Sequence, residues 1–557
     1  MVGISTITCF FVFLLKDIGE CFILFDGSGN GNANASVSVD VSCGRITGQW
    51  SYKDHGYSFL GIPYAEPPVG RLRWRPPVAL DVSNGNCWSG EIDARVPGNV
   101  CFQPDNRNIS QLVGDEDCLY LNVWTPSLDV NASLPVMVWI HGGYLLYGSG
   151  NDADIGYAPS ARLAHDLNVV FVSMNYRLNA FGFMALELLV TGSPTGTSGN
   201  YGLMDQIEVL KWVKMNVRKF GGDPNQVTVF GQSSGGTSIF ALQASPLTEN
   251  LFHKAWLQSA SPVMNKTAAQ AFKDNEPFLK NTGCSDVDCL YNLTQVDVLR
   301  SIPWNEYPYW LMDDLLSLPT AGLFDGALPI VDGYVLKEAP FEAWVHGHGR
   351  DVPTIIGSTA QEANEEQHIP ENRALTPSDN YEKYVRQTLG TFDDVISETA
   401  LNLYPSTVIS PDYQINTMIS DLRTICPTDY MTLIASSAFT SNVYRYVATF
   451  ATSQPSSPFG SSFKSHYAFH GVDSFAFFGT FDKLVNPPSK TEIRSQNTFR
   501  EEIMSFVENG RPKSSDWKPY PASTALVSEV TNVTSGYHTA ECNFWLRNGF
   551  FSYAWIN

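Results

Sequence analysis

The segment 227–236 constrains the fold of this chain more than any other. Its first residues, Val-Thr-Val-Phe, are β-branched and aromatic and predict a short buried strand. The strand runs into Gly231-Gln-Ser233-Ser-Gly235, the G-x-S-x-G pattern of a nucleophile elbow, and a helix is predicted to follow over 237–242. The glycines leave room for the neighbouring strand and helix. The segment therefore predicts a reactive serine at position 233, with the first amides of the helix directed at a developing oxyanion.

Length and composition indicate a large folded protein. The chain has 557 residues, of which 43% are hydrophobic and 16% are charged, so a sizeable core can form and disorder is excluded. The net charge of −21 argues against a nucleic-acid partner and against adsorption to an anionic membrane, because both need a basic face. No H-E-x-x-H motif or clustered Cys/His motif indicates a metal, and we expect no cofactor.

The N-terminal region indicates a secreted protein. An apolar run at 4–15 predicts a signal peptide within residues 1–25, and the Gly/Asn/Ser-rich segment 26–38 is predicted to be a flexible lead-in. No later run reaches about 18 apolar residues, so we expect no stable membrane insertion. Ten cysteines are compatible with disulfides in an oxidising compartment. Six N-x-S/T sequons are candidate glycosylation sites: Asn34, Asn108, Asn131, Asn265, Asn292 and Asn532.

The rest of the chain, residues 39–548, is predicted to be one domain of the α/β class. Buried strands at 134–140 and 168–173 are followed by a helix over 203–220 and by the strand of the elbow. That order implies right-handed crossovers and a mainly parallel sheet. The other predicted elements are strands at 119–124, 255–259, 352–356 and 443–447, a helical and loop-rich insertion over 265–350, and a last helix at 499–506.

A serine nucleophile needs a base to take its proton and an acid to orient that base. On α/β-hydrolase sheets the chain order is Ser, acid, His, which directs the search to histidines well beyond Ser233. His470 lies on a loop before a Phe-rich segment and is the favoured base. His466 and His538 are interpreted as surface or packing residues.

Two carboxylates fit the place of the acid, a loop just past the end of a strand. Glu362 follows the strand at 352–356, and Asp332 follows Val331; their spacing favours Glu362 only narrowly. The oxyanion hole should come from a Gly-rich loop after an earlier strand. His141-Gly142-Gly143 is the candidate for that loop.

Further segments carry a family pattern and span about residues 43–546. They are Gly61-Ile-Pro-Tyr-Ala-Glu-Pro-Pro-Val-Gly70, Glu116-Asp-Cys-Leu-Tyr-Leu-Asn122, Asn175-Tyr-Arg-Leu178, Phe220-Gly-Gly-Asp-Pro224 and the elbow. Together they resemble the carboxylesterase/cholinesterase family (type-B carboxylesterases) of α/β hydrolases. The resemblance implies the α/β-hydrolase fold: a large, mainly parallel central sheet flanked by helices, in a single domain with insertions.

The resemblance also implies functional residues. The family pattern G-x-x-x-x-E falls on Gly357 and Glu362, and its pattern H-G-x-D/E falls on His470 and Asp473, which implies a Ser233–Glu362–His470 triad. The implied oxyanion donors are the amides of Gly143, Tyr144 and Ser234. The implied disulfides are Cys101–Cys118, Cys284–Cys289 and Cys426–Cys542; Cys43 and Cys87 are left as a further candidate pair, and Cys9 and Cys21 lie in or beside the leader.

Two positions depart from the family pattern. Tyr144 stands where the family usually has glycine or alanine. Its amide survives the change, but a positive φ would strain a tyrosine, and its ring could narrow the acyl pocket. Gln232 replaces the glutamate that often precedes the serine, and it is a neutral near-isostere of that residue.

The favoured function is a secreted serine carboxylic-ester hydrolase that acts on a small-molecule ester. A lipase of the same family is one alternative, but only 16 residues lie between Cys101 and Cys118, and they are polar, unlike an apolar lid. This loop has no Trp to stack on a quaternary ammonium, which argues against a cholinesterase. The other alternative is a catalytically inactive, neuroligin-like binding protein. The intact triad argues against it, and Tyr144 keeps it open.

Overall fold

Residues 34–555 are described by a computed structural model, apart from 106–107, 305–316, 320–328, 364–377, 408, 458 and 460–463. The predicted leader, with Cys9 and Cys21, lies outside the described residues. The first strand begins at Ala35, so the last residues of the predicted lead-in at 26–38 belong to the fold. None of the helices in the described ranges has the length and apolar character needed to cross a membrane.

A large mixed sheet forms the centre of the protein. The strands are β1 (Ala35–Val41), β2 (Gly44–Ser51), β3 (Gly56–Pro63), β4 (Glu91–Asp93), β5 (Gln103–Asp105), β6 (Asn108–Val113), β7 (Tyr120–Thr125), β8 (Leu134–Ile140), β9 (Val170–Met174), β10 (Gly222–Gln232), β11 (Lys254–Gln258), β12 (Thr354–Thr359), β13 (Val443–Ala448), β14 (Thr524–Val527) and β15 (Thr531–Thr534). The order across the sheet is β1-β2-β3-β7-β9-β8-β10-β11-β12-β13-β14-β15, with β4 beside β2. Strands β5 and β6 form a separate hairpin.

The sheet is parallel in its centre and antiparallel at its edges. The run from β9 through β8, β10, β11, β12 and β13 to β14 is parallel throughout. Antiparallel pairs join β1, β2, β3 and β7 on one side and β15 on the other. Because parallel strands end at the same edge, the residues after β8, β10 and β12 come together there. These are the segments that begin at His141, Ser233 and Ala360.

Helices cover both faces of the sheet. They are α1 (Ala161–Leu167), α2 (Asn179–Phe183), α3 (Glu187–Val190), α4 (Tyr201–Asn216), α5 (Ser234–Ala244), α6 (Ala268–Asp274), α7 (Glu276–Thr282), α8 (Val287–Asn292), α9 (Gln295–Arg300), α10 (Pro340–Val345), α11 (Ser378–Leu389), α12 (Asp394–Leu403), α13 (Pro411–Ser420), α14 (Cys426–Ala438), α15 (Val472–Phe478), α16 (Lys490–Asn509) and α17 (Thr539–Arg547). A π-helical turn at Asp421–Ile425 joins α13 to α14.

Strand β8 shows how the sheet is buried on both sides. Val136 and Val138 pack in the apolar cluster that contains α4 and α5, whereas Met137 and Trp139 pack in the cluster that contains α15 and α16. Successive side chains of a strand point to opposite faces, so a strand between two helical layers must be apolar throughout. This explains the continuous apolar run at 134–140.

The two ends of the fold differ from the predicted limits. The helix predicted at 499–506 lies inside α16, but α17 follows it, so the prediction that it is the last helix was wrong. The chain also remains packed beyond the predicted limit at 548. Trp555 is buried, and its amide donates a hydrogen bond to the carbonyl of Arg423 at 2.9 Å.

Two buried ion pairs fix segments that carry the family pattern. The guanidinium of Arg73 donates to both oxygens of Glu116, at 2.5 and 2.6 Å. Arg177 makes the same bidentate contact with Asp205 on α4, at 2.6 and 2.8 Å. Paired geometry of this kind offsets the cost of removing two charges from water. The pairs therefore anchor the turns at residues 70–75 and 175–178 to the rest of the domain.

Four disulfides cross-link the part of the chain from residue 34 onward that the structure describes. The structure joins Cys101 to Cys118, Cys284 to Cys289, Cys426 to Cys542, and also Cys43 to Cys87, the pair that the sequence left open. The bridge from Cys426 to Cys542 holds α17 against α14 across a sequence separation of 116 residues. Long loops of this size gain most from a cross-link, because the unfolded chain loses the most freedom.

Gly357, in the central strand β12, is predicted to tolerate no side chain. A Cβ at this position would lie 1.9 Å from the ring of Tyr446, which is itself fully buried. We expect Gly357→Ala to lower the free energy of unfolding by about 3 kcal/mol or more, as overpacking of a core does. Urea unfolding measures the loss.

Gly85 provides the control for this substitution. A Cβ there meets nothing within 4 Å, and only its φ of 69° opposes a side chain. Gly85→Ala should therefore cost about 1 kcal/mol. Equal losses in the two variants would contradict the steric explanation for Gly357.

Candidate active site

Ser233 lies on a sharp turn between β10 and α5. Its φ of 59° and ψ of −128° fall outside the regions that side chains favour. The turn is tight because backbones meet there: a Cβ at Gly235 would lie 2.0 Å from the carbonyl oxygen of Ile140, and a Cβ at Gly231 would lie 2.7 Å from the same atom. The amide of Ser233 donates to the carbonyl of Gln258 at 2.8 Å, which ties the turn to β11. This is the geometry that the G-x-S-x-G pattern predicted.

Glu362 and His470 form a buried pair at the same edge of the sheet. The Nδ1 atom of His470 lies 2.6 Å from Oε2 of Glu362, and the two residues are 8% and 0% exposed. The other carboxylate oxygen, Oε1, accepts hydrogen bonds from the hydroxyl of Ser259 and the amide of Thr359, both at 2.6 Å. Three donors thus fix the carboxylate, and the carboxylate fixes the imidazole ring.

Gln232 connects this pair to the elbow. Its side-chain Nε2 lies 2.9 Å from Nε2 of His470, and its Oε1 accepts a short hydrogen bond from the hydroxyl of Tyr157. The amide nitrogen of Gln232 can only donate, so the Nε2 atom of His470 is the acceptor in this contact. The Nδ1–H group of His470 then donates the hydrogen bond to Glu362. The Nε2 atom of His470 thus lies beside the elbow and accepts the hydrogen bond of Gln232.

The other residues that the sequence raised for the acid and the base have different roles. Asp332 accepts hydrogen bonds at Oδ1 from the amides of residues 334–336, at 2.9 to 3.1 Å, and so caps its own turn. His538 binds Asp421 through Nδ1 at 2.8 Å, and His466 is exposed at the surface. The geometry thus separates Glu362 from Asp332, which sequence spacing alone did not.

The loop after β8 carries a run of positive φ angles. They are 114° at Gly143, 58° at Tyr144 and 57° at Leu145. The strain that the sequence analysis foresaw for Tyr144 is therefore present, at about 1 kcal/mol for each non-glycine residue. The loop is held against the elbow, because the amide of Leu145 donates to the hydroxyl of Ser234 at 3.2 Å. Ser234 is the first residue of α5, and the first amides of a helix have no acceptor inside it.

His141 lies at the start of the loop that follows β8 and is held in place by its neighbours. Its ring stacks on Tyr176 with centroids 4.4 Å apart, and the hydroxyl of Tyr176 donates to the carbonyl of His141 at 2.8 Å. Burial lowers the pKa of His141 to about 4, so the ring is neutral at neutral pH. Its Nδ1–H donates to the carbonyl of Gly142 at 2.8 Å. His141 is thus a structural residue that fixes the strand end before Gly143.

The loop between Cys101 and Cys118 is hydrogen-bonded to the loop that follows β8. It contains the hairpin of β5 and β6. Gln103 donates to the carbonyl of Gly148 at 3.1 Å and accepts from the amide of the same residue at 2.7 Å. Gly148 in turn packs on His141, since a Cβ there would lie 2.6 Å from its Nδ1. The start of the disulfide loop is therefore joined to the loop that follows β8.

Comparison with known proteins agrees with this geometry. The profile described as the carboxylesterase family matches residues 35–545. This chain belongs to the carboxylesterase family. Para-nitrobenzyl esterase of Bacillus subtilis is 31% identical over 494 residues, which cover 85% of this chain and 92% of that protein. A solved structure of a para-nitrobenzyl esterase has a TM-score of 0.71 and 28% identity, over 91% of this chain and 99% of that one.

A second relative aligns with a shorter part of this chain. Neurotactin of Drosophila melanogaster is 34% identical over 395 residues, which cover 70% of this chain. The chain spans 44% of the length of neurotactin, so the match concerns one part of that protein. Similarity within this family therefore extends to proteins of different overall size.

Two features of the site were missed from the sequence, and a third, Asp473, was named there only as part of the family pattern. Ser259 follows β11 directly, and its place after a central strand was a usable signal. Trp555 packs edge-on against His470 with ring centroids 4.8 Å apart, but nothing in the sequence marks a tryptophan so close to the C-terminus. Asp473 is fully buried and accepts from the hydroxyl of Tyr446 at 2.5 Å. Burial raises the pKa of Asp473 to about 6, and the nearby charge of Glu362 adds to this effect.

Acidification is expected to destabilise the fold through His141. Its pKa falls from 6.5 to about 4 on folding, so the unfolded chain takes up a proton first, and stability is lost as the pH falls from 6.5 to 4. The loss should be about 3 kcal/mol. Asp473 acts in the opposite direction below pH 6, because its pKa is raised and the folded state takes up the proton first.

The contribution of His141 to the pH dependence of stability is therefore measured as the difference between the wild type and a variant that lacks this histidine. Urea unfolding of the wild type and of His141→Phe should be compared from pH 4 to pH 7. Phenylalanine can still stack on Tyr176 but does not titrate, so its stability should fall less on acidification. The same pH dependence in both proteins would contradict the assignment of a buried neutral His141.

Proposed function

We propose that this protein is a secreted serine carboxylic-ester hydrolase that acts through Ser233, Glu362 and His470. The observation that carries the proposal is the buried 2.6 Å contact between His470 and Glu362, placed beside an elbow that holds Ser233 at a φ of 59°. Maintaining a strained serine, a buried carboxylate and an oriented imidazole costs stability. Membership of the carboxylesterase family supports the same chemistry.

The proposed reaction has two halves. Ser233 Oγ attacks the ester carbonyl, and Nε2 of His470 takes the hydroxyl proton and passes it to the leaving alcohol. The amides of Gly143, Tyr144 and Ser234 stabilise the oxyanion of the tetrahedral intermediate. Water then attacks the acyl-enzyme, with His470 again as the base. Glu362 stabilises the imidazolium that forms in each half.

An esterase is favoured over a lipase of the same family by the disulfide loop. The hairpin between Cys101 and Cys118 is short, and its start is hydrogen-bonded to Gly148. Glu116, near its end, is locked in the ion pair with Arg73. A loop held at both ends is poorly suited to swing aside at a lipid surface.

Secretion and glycosylation are part of the same proposal. Four disulfides suit an oxidising compartment. The asparagines of all six sequons are exposed, as a glycan acceptor must be: Asn34, Asn108, Asn131, Asn265, Asn292 and Asn532. The apolar run at 4–15 would serve as the signal.

The nucleophile is tested with p-nitrophenyl esters from acetate to palmitate. Ser233→Ala should lower kcat by roughly four orders of magnitude or more, because the nucleophile is lost while the binding site remains. It should also abolish covalent labelling by a fluorophosphonate. Ser437→Ala, at an exposed serine on α14, is the matched control and should behave as the wild type. Equal turnover in wild type and Ser233→Ala would refute the assignment of the nucleophile.

The second candidate is a catalytically inactive, neuroligin-like binding protein. The positive φ of Tyr144 favours it, because a strained side chain could distort the oxyanion loop. The hydrogen bond from Leu145 to Ser234 argues that the loop stays in place against the elbow.

Tyr144→Gly separates the two candidates. Glycine relieves about 1 kcal/mol of backbone strain, but it also removes a ring that is only 7% exposed and packs in the core, so the variant should be less stable than the wild type, and its folding is checked by urea unfolding. If the loop is already competent, kcat on p-nitrophenyl acetate should stay near that of the wild type, and longer acyl chains should be accepted better. An inert wild type that becomes active as Tyr144→Gly would instead show that the ring closes the site.

A further inference from the structure

Two histidines and one carboxylate meet on the surface, away from the catalytic residues. Nδ1 of His346 lies 2.7 Å from Oε2 of Glu338, and Nδ1 of His348 lies 2.5 Å from Oε1 of the same carboxylate. One ligand atom from each residue fits within 4.8 Å of the other two. The side chains of His346 and His348 are 56% and 67% exposed, so an ion in solution can reach them.

The backbone turn at the end of α10 holds His346 and His348 close to each other without a metal. Helix α10 ends in a Schellman motif: the amide of His348 donates to the carbonyl of Ala343 at 2.8 Å, and the amide of Gly347 donates to that of Trp344 at 3.1 Å. Gly347 has a φ of 73°, as the motif requires. The tight turn brings the imidazoles at positions 346 and 348 to the same carboxylate. A preformed pair loses little freedom on binding a metal.

The helix itself is firmly anchored. Trp344 is 1% exposed and packs edge-on against Phe240 of α5, with ring centroids 4.8 Å apart. The amide of Arg350 donates to the carbonyl of Gln243 at 2.6 Å, which fixes the chain after the histidines to the last turn of α5. Ser233 precedes the first turn of that helix, about 15 Å away along its axis. The cluster is thus rigidly mounted and separate from the elbow.

We propose that Glu338, His346 and His348 form a binding site for a divalent transition metal of the Zn²⁺ type. Two imidazole nitrogens and one carboxylate oxygen suit Zn²⁺, whereas Ca²⁺ and Mg²⁺ prefer oxygen ligands. Three protein ligands leave a fourth position for water.

Binding needs a proton shift and a small opening of the cluster. Each ring proton moves from Nδ1 to Nε2, which faces solvent, and the freed Nδ1 lone pair binds the metal. The ligand atoms of a tetrahedral Zn²⁺ site lie about 3.3 Å apart, so the side chains separate by less than about 1 Å from their present contacts. The exposed rings can make this movement. The role is structural: the ion would join the end of α10 to Glu338, two residues before the first residue of that helix.

No metal was expected from the sequence, because these three residues come together only through the geometry of the chain. His346-Gly-His348 is a short pair, and Glu338 stands eight residues before it on the other side of α10. No common zinc motif has that spacing. Only the Schellman turn at the end of a short helix brings the three side chains together.

The test uses the full chain, purified without a histidine tag and freed of metal with a chelator. Titration with ZnCl₂ in a calorimeter should show one equivalent that the double variant His346→Gln/His348→Gln loses. Each single His→Gln variant, and Glu338→Gln, should weaken binding by roughly tenfold or more. His165→Gln removes an exposed histidine elsewhere, beside His55, and should leave that equivalent unchanged.

A second readout identifies the ligands. Co²⁺ in place of Zn²⁺ should give the intense visible absorption of a four-coordinate site in the wild type and in His165→Gln, but not in the double variant. Urea unfolding without metal should show that all variants are folded. Zn²⁺ binding of equal stoichiometry and affinity in the wild type and the double variant would overturn the proposal, as would loss of binding in His165→Gln alone. Neither readout depends on ester hydrolysis.

Discussion

The approach of three backbone segments at the elbow is the constraint on which the rest of the site depends. The carbonyl oxygen of Ile140, at the end of β8, lies so close that a Cβ at Gly235 would be 2.0 Å from it and a Cβ at Gly231 would be 2.7 Å from it. Because β8 and β10 are parallel neighbours, their ends must pass each other at this distance, and α5 must begin at once. Ser233 is left no conformation but a strained one. Hydrogen bonds on either side hold it: its amide donates to Gln258, and its carbonyl accepts from Thr237 at 2.9 Å.

Ionisable side chains are buried near the strained Ser233, on or after the strands that follow β10 and on helix α15. Glu362, Asp473 and Arg445 are all fully buried within the same part of the fold. Glu362 accepts three hydrogen bonds, one of them from His470, whereas Asp473 accepts two, from the hydroxyl of Tyr446 and the amide of Ser474, and burial raises the pKa of Asp473 to about 6. The difference in hydrogen bonding separates the roles of the two carboxylates. Such groups are expensive to bury, and they persist where the surrounding packing determines their positions.

The sequence predicted the centre of this fold well and its periphery poorly. Strands β8, β9 and β10 were visible because apolar runs between two helical layers leave little ambiguity. Glu362 and Asp332 could not be separated by spacing, since both follow strands or strand-like runs. The resemblance to the carboxylesterase family favoured Glu362, and Glu362, not Asp332, contacts His470 in the structure. The fold beyond 548 and helix α17 were missed because their packing depends on distant partners: α17 on the Cys426–Cys542 bridge, and Trp555 on Arg423 and His470.

Gln232 shows how one substitution can change the electrostatics of such a site without changing its shape. An ionised glutamate at this position could only accept a hydrogen bond, so it would need a donor on Nε2 of His470. The side-chain amide of Gln232 instead donates to Nε2 of His470 at 2.9 Å. Tyr157 fixes the amide in this orientation through Oε1, and Tyr157 is itself packed against Trp139 at 5.2 Å between ring centroids. Gln232 thus contacts one ring nitrogen of His470 and Glu362 contacts the other, so an amide dipole and a carboxylate together fix the orientation of the imidazole.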